Sequence, residues 1–283
     1  MKFFDLHCDT AFECYRKNEG FYVNRLGVSG VKGEVFEEWK QTFAVWIKDD
    51  LQNPFSLYQN IIMDFKQKLS KKPKNLTPLF AVEGGAVLEE DTDRLFTLKD
   101  DGIKMLTLTW NGDNNIAGGV KGENTLTDFG KRVIAKMNAL SIACDLSHLN
   151  EKSFYEALDN AKYPLCTHSD CRAVFDNPRN LNDNQIKALC ERGGLIGLCF
   201  YPDFLGEDVF EGIYKNIVHL SSFGYEDNIA VGSDLDGGKM HKRLDDIGKV
   251  PELYAFLRAK GLENRLLDKI FYENANNYIA KIS

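Results

Sequence analysis

Eight short apolar runs recur along this 283-residue chain, and most are followed by an amphipathic stretch of helical period. The runs are Phe3–Cys8, Thr42–Ile47, Leu79–Val82, Ile103–Leu108, Ile142–Leu146, Pro164–Thr167, Gly194–Phe200 and Ile229–Gly232. Their length suits buried strands. Between and after them, Pro54–Leu69, Asp91–Asp100, Thr127–Leu140, Asn150–Ala161, Asn182–Arg192, Glu207–Phe223, Pro251–Lys260 and Leu266–Ile279 read as helices. Thr127–Leu140 turns Leu126, Ile134, Met137 and Leu140 toward a core. Asn150 is a good cap ahead of acidic Glu151, and Asn182–Arg192 stops at Gly193-Gly194. Strands alternating with helices are βαβ units and imply a parallel sheet. Eight alternations predict an α/β chain closed into a (β/α)8 TIM barrel; a doubly wound open sheet is the alternative that periodicity leaves standing. No break in composition and no low-complexity linker interrupts the pattern, so residues 1–283 are expected to form a single domain.

Hydrophobic residues make up 43% of the chain and charged residues 27%, as in a soluble globular protein. The net charge is −7, and the densest basic cluster, Lys71, Lys72 and Lys74 around Pro73, reads as a solvated turn. A nucleic acid is therefore not an expected partner, because no basic stripe is present to meet it. No stretch reaches the ~18 apolar residues of a membrane span. The start, Met1-Lys2-Phe3-Phe4-Asp5, lacks the apolar region of a signal peptide, and the C-terminus shows no lipid-anchor signal. A membrane is not an expected partner either. Seven cysteines, an odd number with no C-x-x-C pair, fit a reducing compartment, and the expected location is cytoplasmic.

Catalytic residues of a barrel of this kind sit at the C-terminal ends of its strands. Here those ends carry His7 and Asp9, Glu83, His148, His168 and Asp234. His7 and Asp9 stand two apart and point the same way from an extended chain. Three of the five histidines occupy such ends; His219 and His241 read as helix-surface and loop residues. Imidazole and carboxylate suit Zn²⁺ and related first-row ions. Three histidines with two or three carboxylates exceed what one tetrahedral site needs, and a carboxylate bridging two ions is the natural use of the surplus. Taken singly, each residue has an ordinary structural explanation, such as a turn hydrogen bond for Asp234 or Asp236. Their collection at one rim is what points to metal.

Several segments in order resemble the membrane dipeptidase family, renal dipeptidase and its bacterial relatives. They are Asp5-Leu-His7-Cys-Asp9, Ala81-Val-Glu83-Gly-Gly, Leu106-Thr-Leu-Thr, Leu126-Thr-x-Phe-Gly130, Asp145-Leu-Ser-His148, Thr167-His168-Ser169, Asn177-Pro-Arg179-Asn-Leu181 and Gly232-Ser-Asp234-Leu-Asp236-Gly237. The resemblance implies a (β/α)8 barrel with two divalent ions, most simply Zn²⁺. His7 and Asp9 would hold one ion, His148 and His168 the other, with Glu83 as the bridge. Asp234 resembles the family acid that handles the proton. Arg179 resembles the arginine that grips the substrate carboxylate, a task its bidentate fork suits. The expected reaction is hydrolysis of a dipeptide, a small-molecule substrate, by a hydroxide shared between the ions.

The chain departs from the pattern at one point. The mammalian enzymes carry, after Leu-Thr-Leu-Thr, a histidine that polarises the scissile carbonyl. Here Trp110 stands there, followed by Asn111. Either the Trp110 N–H or Asn111 substitutes for it, or the substrate differs. Tyr201 and Phe204 are further expected pocket residues, and Cys8, between the first two ligands, is expected to pack. Deacylation of N-acyl amino acids or lactone opening on the same centre is the enzymatic alternative, and a metal-binding barrel without catalysis is the other. The oligomeric state, a homodimer included, stays open.

Overall fold

The computed structural model describes residues 1–282. Its strands are β1 (Lys2–Cys8), β2 (Glu38–Trp46), β3 (Leu76–Glu83), β4 (Ile103–Thr107), β5 (Ala143–Asp145), β6 (Pro164–Leu165), β7 (Ile196–Leu198) and β8 (Ile229–Val231). They form one sheet in the order β6-β5-β4-β3-β2-β1-β8-β7, with the paired strands parallel. The gap between β6 and β7 is spanned by a parallel bridge from Cys166 to Ile196, in which Cys166 N–H donates to Leu195 O and Gly197 N–H to Cys166 O, both at 2.8 Å. The sheet therefore closes on itself as a (β/α)8 barrel rather than opening as a doubly wound sheet.

All eight expected strands are present. β2 and β3 begin earlier than their apolar runs, because ladder bonds extend through residues such as Glu38, Lys40 and Thr77 that carry no hydrophobic signal. Helices cover the outside at Pro54–Lys68, Arg94–Asp100, Asp128–Leu140, Glu151–Asn160, Asp183–Glu191, Val209–Ser222 and Val250–Ala259. Four of these starts carry a side-chain cap, at Thr127, Asn150, Asn182 and Asp208. Asn182 and Gln185 form a capping box, and the Thr127 and Asn150 side chains accept from Gly130 N–H and Ser153 N–H. The last helix is not continuous: a π turn at Lys269–Glu273 separates Asn264–Asp268 from Asn274–Lys281. A short helix at Thr10–Arg16, directly after β1, gave no sequence signal. No helix among the described residues is long and apolar enough to cross a membrane. All seven cysteines are free and buried.

The inside of the barrel is layered by the period of two in its strands. Phe4, Ala44, Ala81, Met105, Ala143, Leu165 and Ala230 form an apolar layer, closed below by Tyr272, Tyr278 and Ile279 of the C-terminal segment. Two residues further along the same strands, the chemistry changes. Ala81 leads to Glu83, Met105 to Thr107, Ala143 to Asp145, and Leu165 to Thr167. An apolar plug thus supports a polar layer that opens toward the C-terminal rim.

Gly84 fixes how the chain leaves this layer after Glu83. Its φ is +109°, and a Cβ there would lie 2.0 Å from Ile47 O. Gly84→Ala is expected to lower stability by more than ~2 kcal/mol, since the backbone conformation alone costs ~1–3 kcal/mol and the clash adds to it. A denaturant titration showing wild-type stability would contradict this account.

Candidate metal centre

Five side chains from β1, the residue after it, β3 and the segments after β5 and β6 meet at the rim. Glu83 lies at the centre. Its Oε2 is 3.5 Å from His7 Nε2, and its Oε1 is 2.7 Å from His148 Nε2 and 3.5 Å from His168 Nε2. Asp9 Oδ1 is 3.8 Å from His7 Nε2. Nitrogen and oxygen atoms fall into three overlapping groups, His7–Asp9–Glu83, Glu83–His148–His168 and His7–His168–Asp234, each within 4.8 Å. Glu83 is shared by the first two. His219 and His241 lie elsewhere; His219 pairs with Asp183 at 2.8 Å on the helix surface.

Local backbone brings these groups in at some cost. His148 and Asp234 have φ of 69° and 59°, in the left-handed region. Among residues other than glycine, His and Asp are comparatively tolerant of it. Such strain persists where surrounding structure holds it, commonly at functional sites.

The electrostatics suit a cation. Burial works against a charged His7 ring, but Glu83, then Asp9 and Asp234, outweigh it and hold its pKa up to about 10. Burial, then the charge of Glu83, pushes Asp9 well above the carboxylate range. Burial raises Asp234 to about 7, with His7 opposing and Glu83 adding. Burial, then the positive charge of Arg179, takes His148 down to about 4, and His168 is also held well below its usual value by burial and His7. Neutral imidazole is the form that binds metal. Asn111 Oδ1 lies 2.9 Å from His148 Nδ1, and an amide oxygen only accepts, so the proton sits on Nδ1 and Nε2 keeps its lone pair. That nitrogen faces His168 Nε2 at 2.8 Å. His7 Nε2 and Asp9 Oδ1 are buried with no hydrogen-bond partner. Unpaired donor atoms of this kind, imidazole and carboxylate together, fit a divalent metal.

The remaining expected site residues surround this cluster. Asp234 is partly exposed, with Oδ1 3.9 Å from His7 Nε2 and Oδ2 3.8 Å from Cys199 Sγ. Arg179 donates from Nη2 to His168 O at 3.3 Å and lies over the Phe204 ring at 5.4 Å, while its Nε is buried and unpaired. Trp110 lines a cavity of about 240 Å³ with Phe12, Trp46, Glu83 and Asp234. It meets Trp46 edge-on at 5.1 Å, and its backbone N–H donates to Asp49. Asn111 is engaged with His148. Tyr201 packs on Phe204, with ring centroids 5.1 Å apart. Arg179 lines a second cavity of about 140 Å³ on the other flank of His148. Cys8 is buried in the core.

Sequence reasoning did not find Trp46, Phe12, Asp49 or Thr167. Trp46 ends β2, so the strand-end rule that found Glu83 could have found it. Asp49 holds the loop after β4 by accepting from Trp110 N–H, Gly112 N–H and Asn114 Nδ2, a role with no local signal.

The sequence and the fold have counterparts among known proteins. The family model for membrane dipeptidases, peptidase family M19, matches residues 51–282. Glu83, His148, His168, Arg179 and Asp234 lie inside that stretch; His7 and Asp9 precede it. An uncharacterized protein from the pqqA 5′ region of Klebsiella pneumoniae is 32% identical over 220 residues, 72% of this chain and 81% of that protein. An uncharacterized dipeptidase of Schizosaccharomyces pombe is 29% identical over 70% of this chain, which spans about half (51%) of that longer relative. The fold matches a metallopeptidase from Rhodobacter sphaeroides solved with a phosphinate mimic of L-Ala-D-Ala, with TM-score 0.87, 22% identity and coverage of 100% of this chain and 99% of that one. It also matches a family M19 metallopeptidase, dipeptidase AC, with TM-score 0.85, 23% identity and coverage of 99% and 98%. Together, the family match over most of the sequence and the Klebsiella relative establish that this chain belongs to the membrane dipeptidase family, peptidase family M19.

Proposed function

We propose that the chain is a zinc-dependent dipeptidase with a binuclear centre, folded as a single catalytic domain over residues 1–283. His7 and Asp9 would hold one ion and His148 and His168 the other, with Glu83 placed to serve both. The observation that carries this reading is the Glu83 carboxylate, which faces His7 with one oxygen and both His148 and His168 with the other. Divalent ions held there would supply an activated water near neutral pH and Lewis-acid polarisation of the peptide carbonyl.

The protein's own groups do the rest. Asp234, at the cavity edge, takes a proton from the attacking water and returns it to the departing amine nitrogen, a base and then an acid. Arg179 pairs with the free carboxylate of the dipeptide, which fixes the scissile bond relative to the ions and limits substrate length. Trp110, with Trp46 and Phe12, walls the opposite side and excludes water from it. Seven unpaired thiols support a cytoplasmic location.

Assays on L,L- and L,D-dipeptides test the reading; the L,D series follows from the ligand of the Rhodobacter neighbour. Hydrolysis is expected, lost on chelation and restored by zinc. In Arg179→Ala, kcat/KM for a free dipeptide falls ~10–100-fold, the value of a charge-assisted pair, and falls far less for the dipeptide amide. Turnover of N-acyl amino acids alone would refute the dipeptidase assignment.

A further inference from the structure

Three imidazole rings in the centre need their Nδ1 protons placed so that Nε2 is left to bind. His148 uses Asn111. His7 and His168 have no such amide, and both turn Nδ1 to the same atom. Thr167 Oγ1 lies 2.8 Å from His168 Nδ1 and 3.4 Å from His7 Nδ1. It also lies 2.6 Å from Asp145 Oδ2. A hydroxyl has one proton and two lone pairs.

Asp145 decides which way that proton points. This carboxylate is buried and accepts from Thr107 Oγ1 at 2.6 Å, Ser147 N–H at 3.1 Å and Thr167 N–H at 3.0 Å as well as from Thr167 Oγ1. A carboxylate only accepts, so in the 2.6 Å contact the threonine hydroxyl gives its proton to Asp145. The lone pairs of Thr167 are then left for the two rings, and a ring nitrogen facing a lone pair carries hydrogen. Both rings are thereby set with Nδ1–H toward Thr167 and Nε2 toward Glu83, at 3.5 Å in each case.

Thr167 is held rigidly enough for this task. It stands two residues beyond Leu165, on the barrel-facing side of its strand, and is fully buried. Gly197 and Gly232 press on its carbonyl: a Cβ on either would fall within 2 Å of Thr167 O, at 1.9 and 1.6 Å. The rings it serves lie 4.0 Å apart, centroid to centroid.

We propose that Thr167, oriented by Asp145, is a positioning residue shared by both halves of the centre, one hydroxyl fixing His7 on one side and His168 on the other. The inference rests on the two-ion reading above. It differs from a stitching role between β5 and the segment after β6, which would affect stability without choosing which ring nitrogen binds metal.

Zinc titration of the metal-free 283-residue chain against a chelating dye tests it. Thr167→Val keeps the shape and removes the acceptor; affinity at both zinc positions is expected to fall ~10–100-fold, the usual effect of losing a group that orients a ligand. Thr167→Ser restores both. Asn111→Leu weakens one position only. In zinc-loaded wild type, ¹⁵N spectra of the histidines are expected to show His7 and His168 protonated at Nδ1 and bound through Nε2, a readout that stands even if Thr167→Val does not fold. Unchanged affinity in Thr167→Val, loss at one position only, or His7 or His168 bound through Nδ1 overturns the proposal. A wild type that binds fewer than two zinc ions overturns it together with the binuclear reading, whereas normal two-zinc affinity in Thr167→Val overturns it alone.

Discussion

Replacing Glu83 by glutamine is expected to remove both of the proposed ions at once and to lower dipeptide hydrolysis by ~10³-fold or more. The size follows from what the ions supply, several kcal/mol of transition-state stabilisation at tenfold per ~1.4 kcal/mol. The breadth follows from geometry. His7–Asp9 and His148–His168 are separate donor pairs, and Glu83 is the member common to both groups. A glutamine keeps the volume in a site where Glu83 is 2% exposed, so packing is conserved. It loses one anionic oxygen and turns an NH₂ toward either His7 Nε2 or His148 Nε2, where it competes as a donor for the lone pair a metal would use. The measurement is metal content per chain beside kcat/KM. A Glu83→Gln protein that keeps two ions shows that Glu83 is not the bridge; one that keeps a single ion assigns it to one pair.

The strands and the ligands were legible in the sequence for one physical reason. A barrel strand buried on both faces is a largely apolar run, and its C-terminal end is where side chains able to bind metal collect. His7 after Leu6, Glu83 two beyond Ala81 and His168 at the end of Pro164–Thr167 all announce themselves this way. What stayed hidden depends on distances across the barrel. Thr167 and Asp145 follow the same period of two, yet a threonine and an aspartate at a strand end are common. The significance of Thr167 arises only because folding brings His7, 160 residues away, to its oxygen. Asn111 was expected to face substrate, and its contact with His148 spans a loop whose course is set by Asp49. The short helix after β1 was missed because Asp9 starts it without a side-chain cap bond, leaving neither a cap nor a long amphipathic face to read. The break in the C-terminal helix was missed because a π turn keeps helical composition while shifting the phase of the buried face.

Asp234→Asn separates proton transfer from metal binding, and its expected effect is a ~10²–10⁴-fold fall in kcat with metal content unchanged, the range that a positioned acid–base group contributes. The substitution is conformationally mild. Asp234 has φ of 59°, and asparagine tolerates that region as well as aspartate does. The side chain is less enclosed than the five proposed ligands, lines the larger cavity and touches Cys199 Sγ only at 3.8 Å, so an amide fits without leaving a buried charge unpaired. An amide cannot take up a proton from water and pass it on, which removes the transfer and little else. The competing possibility is that Asp234 serves as a ligand, since its Oδ1 lies 3.9 Å from His7 Nε2 and it groups with His7 and His168. The two roles predict different pairs of numbers. A proton carrier gives full metal content, near-normal KM and a collapsed kcat; a ligand gives lost metal and activity that excess zinc partly recovers. Equal kcat in Asp234→Asn and wild type would remove this residue from the chemistry altogether, and the proton would then need another acceptor at the cavity edge, of which Asp236 is the nearest in sequence but already accepts from Thr10 Oγ1 and Gly27 N–H, both at 2.6 Å.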